Sequence, residues 1–214
     1  VANGTYPYYS ILGESDFVVG TNDFTIEAWV YIEDYSASAQ IATQRAQPTP
    51  VAATVYPHFL LNVNSSGQLQ LQTRNASGTQ FFARSAAGTI KERVWYHVAG
   101  TRASGALKVY INGVRHSAGD ANDSAFNLTE DDFCVGGYRV TGFSNRFPGN
   151  IHSLRFIIGT ALYTSNFIPS TEPLTTTSQG ATASEVKFLG CQNDTFINNA
   201  TNNIQGGGFS GSTG

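Results

Sequence analysis

Side chains rich in oxygen are the first feature of this chain that could support chemistry. Asp120, Asn122 and Asp123 alternate in the run GDANDS, which looks like half of a calcium-binding loop. A second acidic run, TEDD, covers Glu130–Asp132. Asp and Asn are also the ordinary residues of turns, so neither run requires a metal. The better candidate for a calcium site is Asp120, Asn122 and Asp123, and no other cofactor is predicted.

Carboxylates and histidines at catalytic spacing are the second group to consider. Glycoside hydrolysis needs two carboxylates that face each other across the sugar. Glu27 and Glu33 share a strand face with nothing acidic between them, so we expect Glu27 to be a solvent-facing strand residue. The histidines lie in no G-x-S-x-G elbow and beside no suitable cysteine: His58, His97, His116 and His152. The chain is therefore predicted not to be an enzyme.

Aromatic and arginine side chains could instead form a contact surface. The run YRVTGFSNRFPG mixes them in a turn-rich connection, and exposed aromatics with Arg are typical of binding surfaces. The predicted ligand- or partner-binding residues are Tyr138, Arg139, Phe143, Asn145, Arg146 and Phe147. Trp29 and Trp95 are alternative sugar platforms, but both lie in strand patterns, which favours a place in the core.

These side chains must be positioned by β-strands. The stretch DFTIEAWVYI (Asp23–Ile32) alternates apolar and other residues with a period of two, which indicates a strand. Trp29 and Tyr31 occupy its second face, so the strand should pack on both sides, as in a two-sheet sandwich. Asn112 and Gly113 both accept a positive φ, which predicts a two-residue type I′ hairpin.

Strand patterns recur along the rest of the chain at spacings typical of a sandwich. They are Tyr8–Leu12, Ile41–Gln44, His58–Val63, Leu69–Thr73, Gln80–Ser85, Trp95–Thr101, Leu107–Ile111, Val114–Ser117, Phe133–Gly136, Gly149–Ile158 and Val186–Cys191. An entry strand in the run TYPYYS is expected to pair with Val186–Leu189. Ser36–Gln47 alone shows mild helical periodicity, and Gln47–Pro57, with three prolines, predicts a loop or an edge element.

Composition favours one all-β domain. The chain has 214 residues, a net charge of −3 and no apolar run that could span a bilayer, so neither nucleic acid nor membrane is an expected partner. We assign residues 1–197 to the sandwich, with a Ser/Thr/Pro-rich connector over 170–184, and residues 198–214 to a polar, Gly-rich tail or linker. Cys134 and Cys191 could pair or remain two buried thiols. No signal peptide is recognised, and the absence of Met predicts a processed chain or a segment of a longer one.

A series of motifs occurs in a family-specific order. DFTIEAWVYI is followed by LQLQT, VWYHVAGTR, LKVYINGVRHSAG, FCVGGYR and FPGNIHSLRFIIGTALYTSNFIPSTEPL. In the last segment the matching positions are Gly149, Leu154, Arg155, Gly159, Ala161, Tyr163, Thr164, Phe167, Pro169 and Pro173. This series, from about Asp16 to about Asn199, resembles the laminin-G-like, concanavalin-A-like jelly-roll family, above all its variants in phage and marine-virus structural proteins. It departs from that pattern at His152–Ser153, where the family has an acidic pair.

The resemblance implies an all-β, two-sheet antiparallel jelly-roll sandwich. It also implies a non-enzymatic virion structural protein, either a capsid decoration or a tail or fibre module, at the virion surface. Its expected partners are other virion subunits, further copies of itself and host surface glycans. The alternative is a secreted or cell-surface lectin-like adhesion module, which would be extracellular.

Two more expectations follow from the same resemblance. A glycan hydrolase ranks third among the functions, because the E-x-D-x-x-E run of related glucanases is missing here. His97 occupies a position that the family commonly fills with His, so we expect it to pack and form hydrogen bonds between the sheets.

Overall fold

Two antiparallel sheets, packed face to face, contain most of the regular structure. The computed structural model describes residues 9–11, 15–45, 58–116, 121–128, 133–140, 142–144, 146–192 and 200. The jelly-roll sandwich predicted from the sequence is confirmed over these residues. No helix in the described ranges is long and apolar enough to cross a membrane.

The first sheet has six strands. They are β1 (Tyr9–Ile11), β3 (Ala39–Arg45), β4 (His58–Val63), β5 (Leu69–Arg74), β6 (Gln80–Arg84) and β11 (Phe133–Val135). Their spatial order is β1, β11, β3, β4, β5 and β6, and every neighbouring pair is antiparallel. This sheet therefore presents the wide face of β3 to β6 to one side of the molecule.

The second sheet has seven strands. They are β2 (Phe24–Ile32), β7 (Trp95–Ala103), β8 (Ala106–Ile111), β9 (Val114–Arg115), β10 (Ala121–Asn122), β14 (Gly149–Ile158) and β15 (Val186–Gly190). The order is β10, β8, β7, β2, β14 and β15, with β9 also paired to β8. The remaining strands β12 (Tyr138–Val140) and β13 (Gly142–Ser144) form a separate hairpin, and short 3-10 turns occupy Ser15–Phe17, Ser178–Gly180 and Ala183–Glu185.

Phenylalanine rings fill the space between the sheets. The rings of Phe17 and Phe133 stack with centroids 5.0 Å apart, and Phe156 stacks on Phe133 at 5.2 Å. Phe24 of β2 reaches Phe59 of the opposite sheet at 5.1 Å. Such offset aromatic pairs add to the free energy gained from burying the rings. The apolar face of β2 thus lies in the core, as its alternation predicts.

Two local expectations have opposite outcomes. The strand predicted at Ile41–Gln44 is confirmed as part of β3, which pairs with β4 and β11, so the mild helical periodicity of Ser36–Gln47 gives no helix in its described residues. The second expectation, on the entry strand, is wrong. The first described strand, β1, pairs with β11, whereas β15 pairs with β14, so the entry strand does not join Val186–Leu189. The predicted loop over Gln47–Pro57 and the tail over 198–214 lie outside the described residues, except Ala200.

No disulfide bond joins Cys134 to Cys191 in the structure. Cys134 lies buried in β11 of the six-stranded sheet, whereas Cys191 directly follows β15 of the other sheet. Burial raises the pKa of the Cys191 thiol to about 12. That thiol is therefore protonated at neutral pH and is a poor nucleophile.

Residues 159–178 run across the outer face of the seven-stranded sheet, and we call them the covering segment. Asn112 and Gly113 form the predicted hairpin turn, with φ of 50° and 76°. The Phe167 amide of the covering segment donates to the Gly113 carbonyl at 2.9 Å. A Cβ at Gly113 would lie only 1.9 Å from the Phe167 carbonyl oxygen. The turn therefore needs glycine for both its φ and this close approach.

Gly113→Ala should lower the free energy of unfolding by about 3 kcal/mol or more, because overpacking against backbone adds to the strain of a positive φ. Gly20→Ala is the matched control: its φ is 57°, but its Cβ would meet nothing nearer than 3.9 Å. We expect that control to cost about 1 kcal/mol. Chemical denaturation of both variants measures the difference, and equal losses would contradict the packing of Phe167 on the turn.

Candidate functional site

The outer face of the six-stranded sheet carries rows of amide side chains. Because side chains alternate along a strand, Leu61 of β4 and Leu71 of β5 point into the core. The residues next to them, such as Asn62 and Gln70, point outward. The register of β3 to β6 then sets one row side by side across the strands: Gln40, Asn62, Gln70 and Arg84. Side chains in such a row are close neighbours and act as one surface.

This face contains a cavity of about 310 Å³, which we call the amide groove. Its lining residues are Ser38, Gln40, Thr43, His58, Leu60, Asn62, Asn64, Gln70, Gln72 and Arg74. The two central amides are almost fully buried, with Gln40 and Asn62 each 3% exposed. Polar side chains are rarely buried on an outer sheet face without partners, so their hydrogen bonds decide what the groove can do.

Ser38 holds two of the amides by their nitrogens. Gln40 Nε2 donates to Ser38 Oγ at 3.1 Å, and Asn62 Nδ2 donates to the same oxygen at 2.7 Å. The amide oxygens, Gln40 Oε1 and Asn62 Oδ1, are buried and have no hydrogen-bond partner among the described residues. A buried acceptor without a partner costs about 1–3 kcal/mol. The groove therefore has two unpaired acceptors just below its surface, and a ligand that brings hydroxyl or amide donors reaches them when the neighbouring side chains shift.

The other amides of the groove are also held in defined orientations. Arg84 Nε donates to Gln70 Oε1 at 2.7 Å. Gln72 Nε2 lies 3.0 Å from His58 Nε2, which accepts the bond when its other ring nitrogen carries the proton. Side chains that are already ordered lose little further entropy when a ligand binds.

The charge of this face is positive. Arg74 lines the groove, and the Arg84 guanidinium lies 3.8 Å from the ring centroid of Phe82 on the next row. Within the part of the chain that the structure describes, the lining residues include no Asp or Glu. A guanidinium binds a carboxylate through two parallel hydrogen bonds, so this face favours a polar ligand that carries negative charge.

The opposite, seven-stranded sheet buries a charge cluster under the covering segment. Arg155 Nε and Nη2 donate to Glu27 Oε1 at 2.8 and 2.5 Å. Glu27 Oε2 accepts from the Tyr163 hydroxyl at 2.8 Å and lies 3.1 Å from His97 Nε2. Arg155 Nη1 also donates to the carbonyls of Thr175 and Ser178. Glu27 is fully buried, so the expectation of a solvent-facing residue is wrong.

The surroundings of Glu27 keep it ionised. Burial alone would raise its pKa, but the hydrogen bond with His97 and the charges of Arg155 and His97 outweigh burial and hold the pKa below its usual range. Burial and the neighbouring Glu27 charge raise the pKa of Tyr163, which therefore remains a hydrogen-bond donor. The cluster is sealed from solvent, and through Tyr163, Thr175 and Ser178 it ties the covering segment to the sheet.

His97 is buried as predicted, but not between the two sheets. Its ring lies on the outer side of the seven-stranded sheet, between the Phe167 ring of the covering segment at 5.7 Å and the Trp29 ring at 5.5 Å. The reason is register: on β2 and β7, His97 stands opposite Trp29 and shares the Glu27 face. The expectation of a core position for the tryptophans is wrong for Trp95, which is 46% exposed, while Trp29 is half-buried.

The loop residues predicted to bind are only partly described. Tyr138, Arg139 and Phe143 belong to the β12–β13 hairpin, where Arg139 pairs with Phe143. Asn145 lies outside the described residues. Arg146 is half-buried, and Phe147 is only 2% exposed because it packs into the core. Phe147 is therefore not an exposed contact residue, and binding by the rest of the hairpin stays a prediction.

The predicted calcium site is represented by one described side chain. Asp120 lies outside the described residues, and for Asn122 only the backbone in β10 is described. Asp123 is buried and accepts from the Thr73 hydroxyl at 2.7 Å, while its backbone carbonyl accepts from Arg102. In the described ranges, no group of three His, Cys, Asp or Glu side chains could hold a metal ion. The calcium site stays a prediction.

The groove itself was not found from the sequence. The amides of β5 stand at every second position of LQLQTR, a pattern that is also typical of an ordinary solvent-facing strand. What makes these residues a site is the placement of Gln40 and Asn62 beside them. That placement depends on strand order, and strand order is not visible in the spacing of residues.

Comparison with known proteins gives one family match. The model of the concanavalin A-like lectin/glucanases superfamily matches residues 3–162. No curated protein matches the chain significantly in sequence.

Solved structures resemble the chain at low sequence identity. The native heptameric SAP-like pentraxin from Limulus polyphemus has a TM-score of 0.55 at 14% identity, with 99% of this chain and 89% of the pentraxin covered. Domains LG4-5 of the mouse laminin alpha1 chain reach 0.54 at 17%, covering 78% of this chain and 46% of that one. A Bacteroides ovatus protein for which carbohydrate binding is suggested reaches 0.54 at 14%, covering 87% and 51%. At these identities the likeness shows the fold alone.

Arg155→Met should lower the free energy of unfolding by about 3–5 kcal/mol, because it leaves the Glu27 carboxylate buried without its cation. Arg93→Met is the control: Arg93 is exposed, and its loss should cost no more than about 0.5 kcal/mol. Urea denaturation of the two variants provides the measurement. A loss below about 1 kcal/mol for Arg155→Met would show that the pair does not hold the covering segment.

Acid should weaken the contribution of Glu27. Since its folded-state pKa lies below the ordinary value of 4.5, the group stabilises the fold above pH 4.5 and loses that effect as pH falls through the folded pKa. The difference in unfolding free energy between the natural chain and Glu27→Gln should therefore shrink as pH falls below 4.5. Denaturation curves over this pH range test it, and a difference that does not change with pH would refute the ionised state of Glu27.

Proposed function

Since the chain belongs to the concanavalin A-like lectin/glucanases superfamily, we propose that it is a carbohydrate-binding protein whose amide groove binds an acidic glycan. The observation that carries the proposal is the pair of buried acceptors, Gln40 Oε1 and Asn62 Oδ1, on the outer face of the six-stranded sheet. Sugar hydroxyls are donors of the kind that these oxygens require. Family membership supports carbohydrate binding in general, and the groove supports the location.

The chemistry of the groove matches a saccharide more closely than an apolar ligand. Amide side chains both donate and accept, so they can bind hydroxyl groups that do the same. Leu60 is the one aliphatic side chain among the described lining residues, whereas a hydrophobic ligand would need a predominantly apolar surface. The groove volume of about 310 Å³ is at the lower end of the range for small-ligand sites.

The positive charge of this face favours an acidic glycan over a neutral one. Arg74 and Arg84 carry positive charge on this face, and none of the described residues that line the groove is a carboxylate. A sugar acid would place its carboxylate near a guanidinium and its hydroxyls near the amides. Charge-assisted hydrogen bonds contribute about 1.5–3 kcal/mol each, so one such contact is enough to select an acidic over a neutral sugar.

Binding without hydrolysis is part of the proposal. Two carboxylates would have to flank a scissile bond, and the groove lining supplies none. The fully buried carboxylate of Glu27 is already bound to Arg155 and Tyr163 on the opposite sheet. A position on a virion surface, with other virion subunits as partners, stays a prediction from the resemblance, and glycan attachment is compatible with it.

The test is calorimetric titration with ligand pairs that differ in charge. Sialyllactose against lactose, and trigalacturonate against its methyl ester, are suitable pairs. We expect the acidic member of at least one pair to bind about tenfold or more tightly, and less so at high salt. Equal binding of both members, or no binding of either acidic ligand, would contradict an acidic-glycan groove.

Two variants test whether the acidic ligand binds in the amide groove. Asn62→Ala should weaken binding of the acidic ligand about tenfold, and Arg84→Gln should remove most of the preference for charge. Arg93→Gln removes the same charge at an exposed position that does not line the groove, so it should leave affinity unchanged. Unchanged affinity in both Asn62→Ala and Arg84→Gln would refute the location. The appearance of shorter saccharides during the titration would refute the non-catalytic function.

A further inference from the structure

The outer face of the seven-stranded sheet holds a second cavity, at the edge of the covering segment. Its volume is about 400 Å³, and we call it the aromatic pocket. The main lining residues are Trp29, Trp95, His152, Ser153, Thr171 and Glu172. The pocket lies on the opposite side of the sandwich from the amide groove, so the two cannot be parts of one binding site.

Both indoles of the pocket are held from behind by other rings. Trp29 rests edge-on against His97, which is fixed in turn by Glu27. Trp95 packs against Tyr31 with centroids 5.7 Å apart. The Trp95 indole is 46% exposed and held in a fixed orientation, which makes it a suitable stacking surface. Its negative π-face attracts polarised C–H groups, and a side chain that is already ordered loses little further entropy on binding.

Polar groups surround these rings. Ser153 has a positive φ of 49° at the bulge in β14, and its Oγ lies 2.9 Å from His152 Nδ1. That contact leaves Nε2 as the remaining polar atom of the His152 ring. Thr171 and Glu172 of the covering segment add a hydroxyl and a carboxylate to the lining. These groups can both donate hydrogen bonds to sugar hydroxyls and accept them.

We propose that the aromatic pocket is a second saccharide site and that it binds a neutral pyranose stacked on Trp95. Glu172 is negatively charged, and no Lys or Arg is among the lining residues, so an acidic sugar is disfavoured. The pocket thus has the opposite charge preference to the amide groove. Two sites on opposite faces would let one domain hold two different glycan chains. The inference stands on its own residues and does not depend on the groove.

Tryptophan fluorescence reports selectively on ligand binding in the aromatic pocket. The chain contains two tryptophans, and both line the pocket. Titration of the full chain with maltotriose and cellotriose should give a saturable change in emission with at least one of them. Trp95→Ala should weaken the affinity for that saccharide, measured by calorimetry, about tenfold or more, whereas Trp95→Phe should retain part of it. Arg84→Gln, on the opposite face of the sandwich, should leave it unchanged.

Charge and ligand class provide the decisive controls. Glu172→Gln should allow trigalacturonate to change the emission, which it should not do with the natural chain. Two results would overturn the proposal: no saturable change with either neutral trisaccharide up to about 10 mM, or neutral binding that survives Trp95→Ala. Where neither trisaccharide binds, choline is titrated next, and the result to look for is a response that Glu172→Gln abolishes. The last result would identify a site for organic cations instead. Because Trp95 and Arg84 lie on opposite faces of the sandwich, the two variants distinguish a failure of this proposal from a failure of the amide groove proposal.

Discussion

The buried ion pair between Glu27 and Arg155 determines how the outer face of the seven-stranded sheet is used. Two charges removed from water are tolerable only when their hydrogen bonds are satisfied, and here Tyr163 and the carbonyls of Thr175 and Ser178 provide the additional partners. Those partners all belong to the covering segment. The pair therefore fixes that segment on the sheet, and the edge of the segment in turn forms one wall of the aromatic pocket.

The same arrangement explains why the two outer faces differ. The face under the covering segment pairs its buried charges internally, in the Glu27 cluster, and the Tyr110 hydroxyl donates to the Tyr163 carbonyl. Two atoms on that face, His97 Nδ1 and Thr101 Oγ1, have no partner among the described residues. The face of the six-stranded sheet leaves Gln40 and Asn62 with acceptors that no described residue meets. Polar groups that form hydrogen bonds within the protein stabilise the fold, whereas acceptors without a partner can bind a ligand that brings donors. In this sandwich the binding groups proposed here therefore stand on strands and on the covering segment, not on the predicted hairpin loop.

Much of the fold could be predicted because its signals are local. A period of two identified β2, and the pair Asn112–Gly113 identified the hairpin of β8 and β9, since each signal depends only on neighbouring residues. Which side chains of each outer face are buried and which are exposed could not be predicted in this way. Glu27 and Trp95 stand on the same face of the sheet, yet one is sealed and the other exposed. The difference is made by Tyr163, which lies 136 residues from Glu27 in the chain. The resemblance marked Tyr163 and Phe167 as family positions, and the structure supplies their physical role as the cover of that cluster.

The claim that the six-stranded face binds an acidic glycan is tested most directly by nuclear magnetic resonance, because side-chain amide groups give their own signals. Titration of isotope-labelled protein with trigalacturonate or sialyllactose should shift the side-chain signals of Gln40, Asn62, Gln70 and Gln72. The indole signals of Trp29 and Trp95 should remain in place. Shifts confined to the indoles or to the β12–β13 hairpin, with the four amides unchanged, would contradict the assignment of the groove as the acidic-glycan site.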